Sequence, residues 1–196
     1  TCDIVGERAA KAAAENGCNS YTSLDKMLSE EKPDLVAICT PSGLHPQHGI
    51  TVAQAGVHVL TEKPIGVKLD DVDHLIHACD AAAVQLFVVK QNRLNSTMQL
   101  VKRAIDKGRF GKIYMVQSNV FWQRPQDYYD SAKWRGTWEF DGGAFMNQAS
   151  HYVDMLYWLV GEVDYVMAST STMARHIETE DTGSVIIRFR NGAIGS

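Results

Sequence analysis

The stretch DLVAICTPSGLHPQHGITVAQAGVHVLTEKP, residues 34–64, decides the fold. It opens on Asp34–Cys39, a near-continuous apolar run of the kind needed by a strand covered on both faces. A helical segment, His45–Ala55, follows, and then a second apolar run, His58–Leu60. Strand, helix and strand in this order form the βαβ unit of a parallel sheet. The alternation continues outward. Upstream lie helical segments Glu7–Glu15 and Leu24–Glu30; downstream come a helix at Asp71–Ala82 and an apolar run at Gln85–Val89. The punctuation agrees. Asn16-Gly17 suits a left-handed helix end, Pro33 stands before the first run, and Asp70 is placed to cap the helix behind it.

Beyond residue 90 the pattern changes. Asn95–Lys107 reads as an amphipathic helix carrying Leu100, Val101, Ala104 and Ile105, stopped by Gly108. Lys112–Phe121 reads as a longer strand, and residues 122–142 as irregular chain. Gly143–Leu159 reads as one helix, Val163–Met173 and Thr182–Arg190 as strands, with Asn191-Gly192 a hairpin turn. The expected fold is therefore α/β: a doubly wound parallel sheet followed by an α+β domain with a mostly antiparallel open sheet. The division falls near residues 90–94, giving one domain at 1–92 and a second at 93–196. Both ends read as cut, with Thr1-Cys2-Asp3 the tail of one strand and Gly192–Ser196 the start of another.

Composition narrows the function. A chain of 196 residues with 45% hydrophobic and 21% charged residues builds a core without disulfides or metal. A net charge of −4, with no long basic run, speaks against nucleic acid. No apolar stretch approaches the roughly 20 residues of a membrane helix. Cys2, Cys18, Cys39 and Cys79 show neither C-x-x-C nor zinc spacing, which suits reduced thiols in the cytoplasm and predicts no metal site.

Ligands of doubly wound sheets bind at the carboxyl ends of the strands, so the chemistry is sought there. Asp3 follows the first strand, where an acid accepts hydrogen bonds from an adenosine ribose; a plain loop aspartate is the other reading. Thr40-Pro41-Ser42-Gly43-Leu44-His45 ends the next strand. Gly43 permits close approach of a ligand, and the helix behind offers its N-terminus to an anion, unless this is a simple turn. Thr61-Glu62-Lys63-Pro64 places an acid and a lysine at a strand end; an exposed lysine beside an ion-paired glutamate is the alternative. Asn147 and His151, at i and i+4 behind Gly142-Gly143, share a helix face and suit a general base with an amide partner, or else a satisfied core histidine. Residues 122–142 hold Trp122, Arg124, Tyr128, Tyr129, Lys133, Trp134, Arg135 and Trp138, including three of the four tryptophans. Stacking faces and guanidinium forks suit a base, a sugar or a phosphate; a subunit interface is the other reading.

Together, Asp3, TPSGLH (40–45), AGVHVLTEKP (55–64), QNR (91–93), DGGAFMNQASHYVD (141–154) and EDTGSVIIRFRNG (180–192) resemble the glucose–fructose oxidoreductase/inositol dehydrogenase family over nearly the whole chain. The resemblance implies a Rossmann domain followed by an α+β domain whose open sheet often serves oligomerisation. Within the family, QNRLNSTMQLVKRAIDKGRFGKI and WRGTWEFDGGAFMNQASHYVDML look most like the UDP-N-acetylglucosaminuronate 3-dehydrogenases. These use NAD to oxidise a 3-hydroxyl in bacterial surface-polysaccharide sugar biosynthesis, and some recycle the cofactor with 2-oxoglutarate. Two departures stand out. The Gly-rich loop expected ahead of Asp3 is not in this sequence, so the chain by itself is expected to bind NAD poorly. Many relatives carry Asp where this chain has Asn147.

The resemblance implies roles for these residues. Asp3, Thr40, Pro41, Ser42, Leu44, His45, Glu62, Lys63, Pro64, Gln91, Asn92, Arg93, Trp134 and Arg135 would meet the cofactor. His151 would take the hydroxyl proton, Lys63 would stabilise the oxygen, or the reverse, and Asn147 would orient the sugar. Arg124, Tyr128, Tyr129, Lys133, Asn147 and His151 would hold a nucleotide-sugar substrate. A homodimer or homotetramer is expected. The rival readings are another NAD(P)-linked sugar or inositol dehydrogenase, and a non-catalytic dinucleotide-binding protein or inert fragment.

Overall fold

In the computed structural model, which describes residues 1–196, the two apolar runs of the opening stretch lie side by side. Strand β1 (Leu35–Ile38) pairs in parallel with β2 (His58–Thr61), Leu35 opposite His58 and Ile38 opposite Thr61. β3 (Leu86–Val88) adds in parallel to the far side of β2, giving the order β1-β2-β3. The crossovers are α3 (His45–Gln54) and α4 (Leu69–Ala81). Val59 and Thr61 of the central strand are fully buried, and Val59 joins Ile38, Val52, Ala53, Leu75 and Cys79 in one core. Gly49 is required there: a β-carbon on it would lie 2.6 Å from Leu75 Cδ1, so α3 and α4 could not pack as they do.

α1 (Gly6–Asn16) and α2 (Leu24–Glu31) precede this sheet. α1 ends on Gly17, left-handed as the Asn16-Gly17 reading expects. The strand read at Thr1-Cys2-Asp3 is reduced to a single parallel bridge between Cys2 and Tyr21. Asp70 does not cap α4. The extended backbone of Lys68 occupies the cap position, and Asp70 and Asp71 fall in the first turn, where negative charge suits the helix dipole.

The remaining elements are α5 (Ser96–Asp106), β4 (Met115–Val116), α6 (Gln126–Asp130), α7 (Ser150–Val160), β5 (Val163–Ser171), β6 (Thr182–Phe189) and β7 (Ile194–Gly195). The second sheet has the order β4-β7-β6-β5; β5 and β7 run antiparallel to β6, and β4 runs parallel to β7. Gly192 makes the hairpin turn, with Phe189 N–H donating to Ala193 O at 2.9 Å. Ile187, Phe189 and Ala193 form the core of this half, with Leu156 and Val160 of α7 packed on it.

Two expectations fail here. Lys112–Phe121 does not form one long strand: Met115 and Val116 pair with β7, and main-chain bonds along the stretch from Tyr114 O to Ser118 N–H continue the contact as far as Ser196. Gly143–Leu159 is not one helix. Gly142 and Gly143 carry φ of 80° and 95°, Ala144–Gln148 winds as a π-helical turn, and α7 begins only at Ser150. Nonlocal contacts fix the start of this winding. Glu180, buried, accepts from Phe145 N–H at 2.9 Å through Oε1 and from Ala144 N–H at 3.3 Å through its main-chain carbonyl. A β-carbon on Gly143 would fall 2.1 Å from Glu180 Oε2. No helix is long and apolar enough to cross a membrane.

Candidate active site

Three links tie the loops at the carboxyl ends of the parallel strands to the rest of the chain. Gly43 N–H donates to Phe140 O at 3.0 Å, and a β-carbon on Gly43 would lie 2.1 Å from Glu139 O. The close approach that glycine permits is thus to the aromatic loop, a correction to the expectation of a ligand there. Arg93 grips Asp154 of α7 with two bonds, Nη2–Oδ1 at 2.6 Å and Nε–Oδ2 at 2.8 Å, and its guanidinium lies 5.7 Å from the Trp158 ring centre. That grip engages the Arg93 fork, which was expected to meet the cofactor. The third link is Lys63.

Lys63 follows β2 and precedes a cis Pro64. Its ammonium crosses to the π-helical turn and donates to both oxygens of Asn147, to the main-chain O at 3.0 Å and to Oδ1 at 2.9 Å. It is neither a surface lysine nor paired to Glu62, whose Oε2 instead accepts the Lys63 main-chain N–H at 3.2 Å. Burial pulls the Lys63 pKa below the ordinary lysine value; the charges of Glu62 and Asp141 oppose this, and those of Lys90 and Arg124 add to it.

Asn147 and His151 are both buried, on opposite sides of the helix break rather than on one regular helical face. The change of winding turns the Asn147 carbonyl toward Lys63 and Ser150 Oγ. The amide nitrogen of Asn147 donates to Asp141 Oδ1, and Asp141 Oδ2 accepts from Gly136 N–H at 2.8 Å. His151 Nδ1 is buried without a hydrogen-bond partner. Burial, then the charges of Lys63 and Lys90, hold the His151 pKa below 6.5, against the opposing charges of Glu62 and Asp154. A neutral imidazole beside an ammonium is the arrangement of a base with an electrostatic stabiliser.

His45 has another task. Its Nδ1 lies 2.7 Å from Pro64 O and its Nε2 2.7 Å from Thr40 O. No ring nitrogen is left for a ligand, so His45 clamps the two strand-end loops together. Thr40 Oγ1 pairs with His48 Nδ1 at 3.0 Å, Ser42 is buried, and Pro41 and Leu44 are half-buried beside it. Gln91 and Asn92 form a 3-10 turn with Arg93 after β3, Gln91 exposed. Asp3 Oδ1 accepts Val5 N–H at 2.8 Å.

The aromatic loop carries the remaining cations. Arg135 stacks on Tyr128 at 4.2 Å and on Trp134 at 4.8 Å. Arg124 lies 5.2 Å from Tyr128 and 5.3 Å from Trp122, and donates to Gln148 Oε1 at 3.0 Å. The Nε of each arginine is buried and unpartnered. No carboxylate lies within 4.0 Å of the charged side-chain nitrogens of Lys63, Lys90, Arg124 or Arg135. Tyr129 packs beneath the loop, where burial raises its pKa and Asp141 raises it further. Lys133 is exposed on the rim of a groove of about 370 Å³ shared with Arg135 and His176. Sequence reasoning gave no role to Asp141, Lys90, Gln148 or Asp154. Asp141 and Asp154 lie inside the DGG-to-YVD stretch and Lys90 precedes QNR, but each depends on a partner far along the chain.

Comparison with known proteins agrees with this fold. Residues 1–90 match a model described as the oxidoreductase family with an NAD-binding Rossmann fold, and residues 98–196 match the GFO/IDH/MocA C-terminal domain. The WlbA dehydrogenase of Bordetella pertussis, solved with NADH and UDP-GlcNAcA, is 58% identical with a TM-score of 0.97, over 99% of this chain and 56% of that one. The WlbA dehydrogenase of Chromobacterium violaceum, solved with the same two ligands, is 55% identical with a TM-score of 0.97 and the same coverage. The myo-inositol 2-dehydrogenase of Thermotoga maritima is 28% identical over 90% of this chain and 52% of its own length. The chain thus spans about half the length of the relatives it matches. With a Rossmann-type parallel sheet, a mixed second sheet and a family model covering half its residues, the chain belongs to the GFO/IDH/MocA family of oxidoreductases.

Proposed function

We propose that the full-length protein is an NAD-dependent dehydrogenase that oxidises the 3-hydroxyl of a UDP-N-acetyl-hexosaminuronate, in the supply of sugars for surface polysaccharide. The observation that carries this reading is the half-buried Lys63, bonded to the buried Asn147 and near the buried His151, beside Arg124 and Arg135, two guanidinium groups without carboxylate partners. A nucleotide sugar acid brings two phosphates and a carboxylate, and such anions suit stacked, unpaired guanidinium groups.

The residues present suit NAD. Asp3 offers a carboxylate beyond the first strand, and the loops at Thr40–Ser42 and Glu62–Pro64 are held side by side by His45. Asp3 and these loops would hold the cofactor, with Gln91, Asn92 and Trp134 at its flanks. Bound NAD supplies the hydride acceptor. His151, neutral near pH 7, takes the proton of the 3-hydroxyl. Lys63 has spent two N–H bonds on Asn147 and turns the third to the same oxygen, stabilising the charge that develops there. Asn147 orients Lys63 and the sugar. Arg124, Arg135 and Tyr128, with Lys133 at the rim, hold the phosphates or the uronate carboxylate.

In this reading residues 1–92 hold the dinucleotide, and 93–196 hold the substrate and the contacts of a homo-oligomer. The exposed Val166, Met167 and Ile186 of the open sheet suit such contacts. Four free cysteines suit the cytoplasm.

The test is NAD reduction by the full-length protein with UDP-N-acetylglucosaminuronate, UDP-N-acetylglucosamine and myo-inositol, each with and without 2-oxoglutarate. Reduction, or 2-hydroxyglutarate formation, with the UDP-uronate alone is expected. Turnover of inositol and not of the UDP-uronate would refute the substrate.

A further inference from the structure

We propose that Asp141 is a positioning residue for Lys63: its buried carboxylate, acting through the Asn147 amide, fixes the lysine ammonium and adds negative charge behind it. From the preceding reading the proposal takes only that Lys63 faces the reacting oxygen.

The geometry runs in one line. Asp141 is 2% exposed, and no lysine, arginine or histidine lies within 4.0 Å of it. A buried carboxylate without a cation is costly, so what it does bind carries weight. One oxygen takes Gly136 N–H at 2.8 Å, which closes the 136–141 turn. A purely structural role ends there. The other oxygen takes the amide nitrogen of Asn147. That contact removes the ambiguity of an amide: a carboxylate only accepts and an ammonium only donates, so Asn147 must give Nδ2 to Asp141 and Oδ1 to Lys63. Carboxylate, amide dipole and ammonium then stand in series, each oriented by the next. Lys63 donates twice to Asn147 and keeps one N–H for the cleft.

The pairing of an acid at 141 with an amide at 147 is internally consistent. A second carboxylate at 147 would touch Asp141, and two acids in contact cannot both stay ionised. An amide at both positions would leave Glu62 as the one anion acting on the ammonium. The other charged groups around Lys63 are Glu62 on its own loop, Lys90 after β3 and Arg124 from the aromatic loop, with the titratable His151 on α7. Among these Glu62 is the only other anion; it acts on Lys63 more strongly than Asp141 does, but it makes no contact with the ammonium, whereas Asp141 reaches it through the Asn147 amide.

The experiment uses the full-length protein with NAD and three variants: Asp141→Asn, Asn147→Asp, and the double exchange Asp141→Asn/Asn147→Asp. Two readouts are followed. The first is the pH dependence of Lys63 acetylation by acetic anhydride, read by mass spectrometry, which needs no turnover. The second is kcat and KM for the UDP-uronate. Asp141→Asn is expected to move the Lys63 half-reaction pH down by about half a unit to one unit, as loss of a nearby opposite charge does. It should lower kcat by roughly 10–100-fold, the scale of a mis-set catalytic group, with KM within about threefold. The double exchange returns an acid to the pair and is expected to recover most of both losses. An unchanged Lys63 profile in Asp141→Asn, with only a lower Tm, would overturn the proposal. So would a double exchange no better than Asp141→Asn alone. If Asp141→Asn does not fold, the same comparison is made between Asn147→Asp and the double exchange, rescue again being required. A wild-type protein that turns over none of the substrates defeats the proposed function, while the acetylation profile still decides the role of Asp141.

Discussion

Replacing Lys63 by Met in the full-length protein isolates the ammonium, because the side chain keeps its length and loses its charge. The structure sets the scale of the loss. Lys63 donates at 3.0 and 2.9 Å to the two oxygens of a buried asparagine, and its remaining N–H is the one available to a developing alkoxide. A preorganised donor of this kind is worth about 2.7–4 kcal/mol in the transition state, or about 100- to 1,000-fold in kcat. Asn147 Oδ1 is also stranded, which costs about 1–3 kcal/mol of stability, partly offset because a half-buried ammonium no longer has to be desolvated. Steady-state NAD reduction at saturating UDP-uronate and NAD, with a thermal melt alongside, separates the two effects. We expect a kcat loss of that size, a Tm lower by a few degrees and a KM for NAD changed little. A kcat within about fivefold of wild type in a folded variant would refute the assignment of Lys63.

Other predictions follow from the same contacts. His151 keeps its neutral form below pH 6.5, because burial and the charges of Lys63 and Lys90 disfavour the imidazolium. The pH–rate profile should therefore rise through a midpoint under 6.5, and Lys63→Met, by removing one of those charges, should move the midpoint up. A wild-type midpoint above 6.5 contradicts this environment. Arg135→Met removes a guanidinium stacked at 4.2 Å on Tyr128. Its KM for the UDP-sugar should rise roughly 10- to 150-fold, the value of one charged hydrogen bond, with kcat within about threefold. Gly43→Ala drives a β-carbon to 2.1 Å from Glu139 O. It should cost about 1–3 kcal/mol in a denaturation curve and raise the KM for NAD, as the strand-end loop and aromatic loop are forced apart.

The parallel sheet was legible because its signals are local. Apolar runs of strand length alternate with helical segments, and Asn16-Gly17 and Asn191-Gly192 close their elements as composition predicts. The helix carrying Asn147 and His151 was misread as continuous because the break is made from outside. Glu180, some 35 residues away, caps the first amides, and Lys63, 84 residues away, takes the Asn147 carbonyl at the change of winding. The site divides in the same way. Lys63, Asn147 and His151 were visible as chemistry-bearing residues at strand and helix ends. Their mutual geometry was not, since Lys63 and Asn147 are 84 residues apart. His45 was expected at the cofactor and is instead occupied by two main-chain carbonyls. Asp141 stood in a motif but had no visible task until its partner at Asn147 was placed.

The central claim is hydride transfer from C3 of a UDP-uronate to NAD, and it is tested most directly with UDP-N-acetylglucosaminuronate deuterated at C3. The full-length protein is incubated with that substrate and NAD, and the reduced nicotinamide is examined by mass spectrometry. The account predicts one deuterium in each NADH formed, with a 3-keto sugar as the other product. NADH without deuterium would place the oxidation at another carbon, and no NADH at all would contradict the proposed reaction.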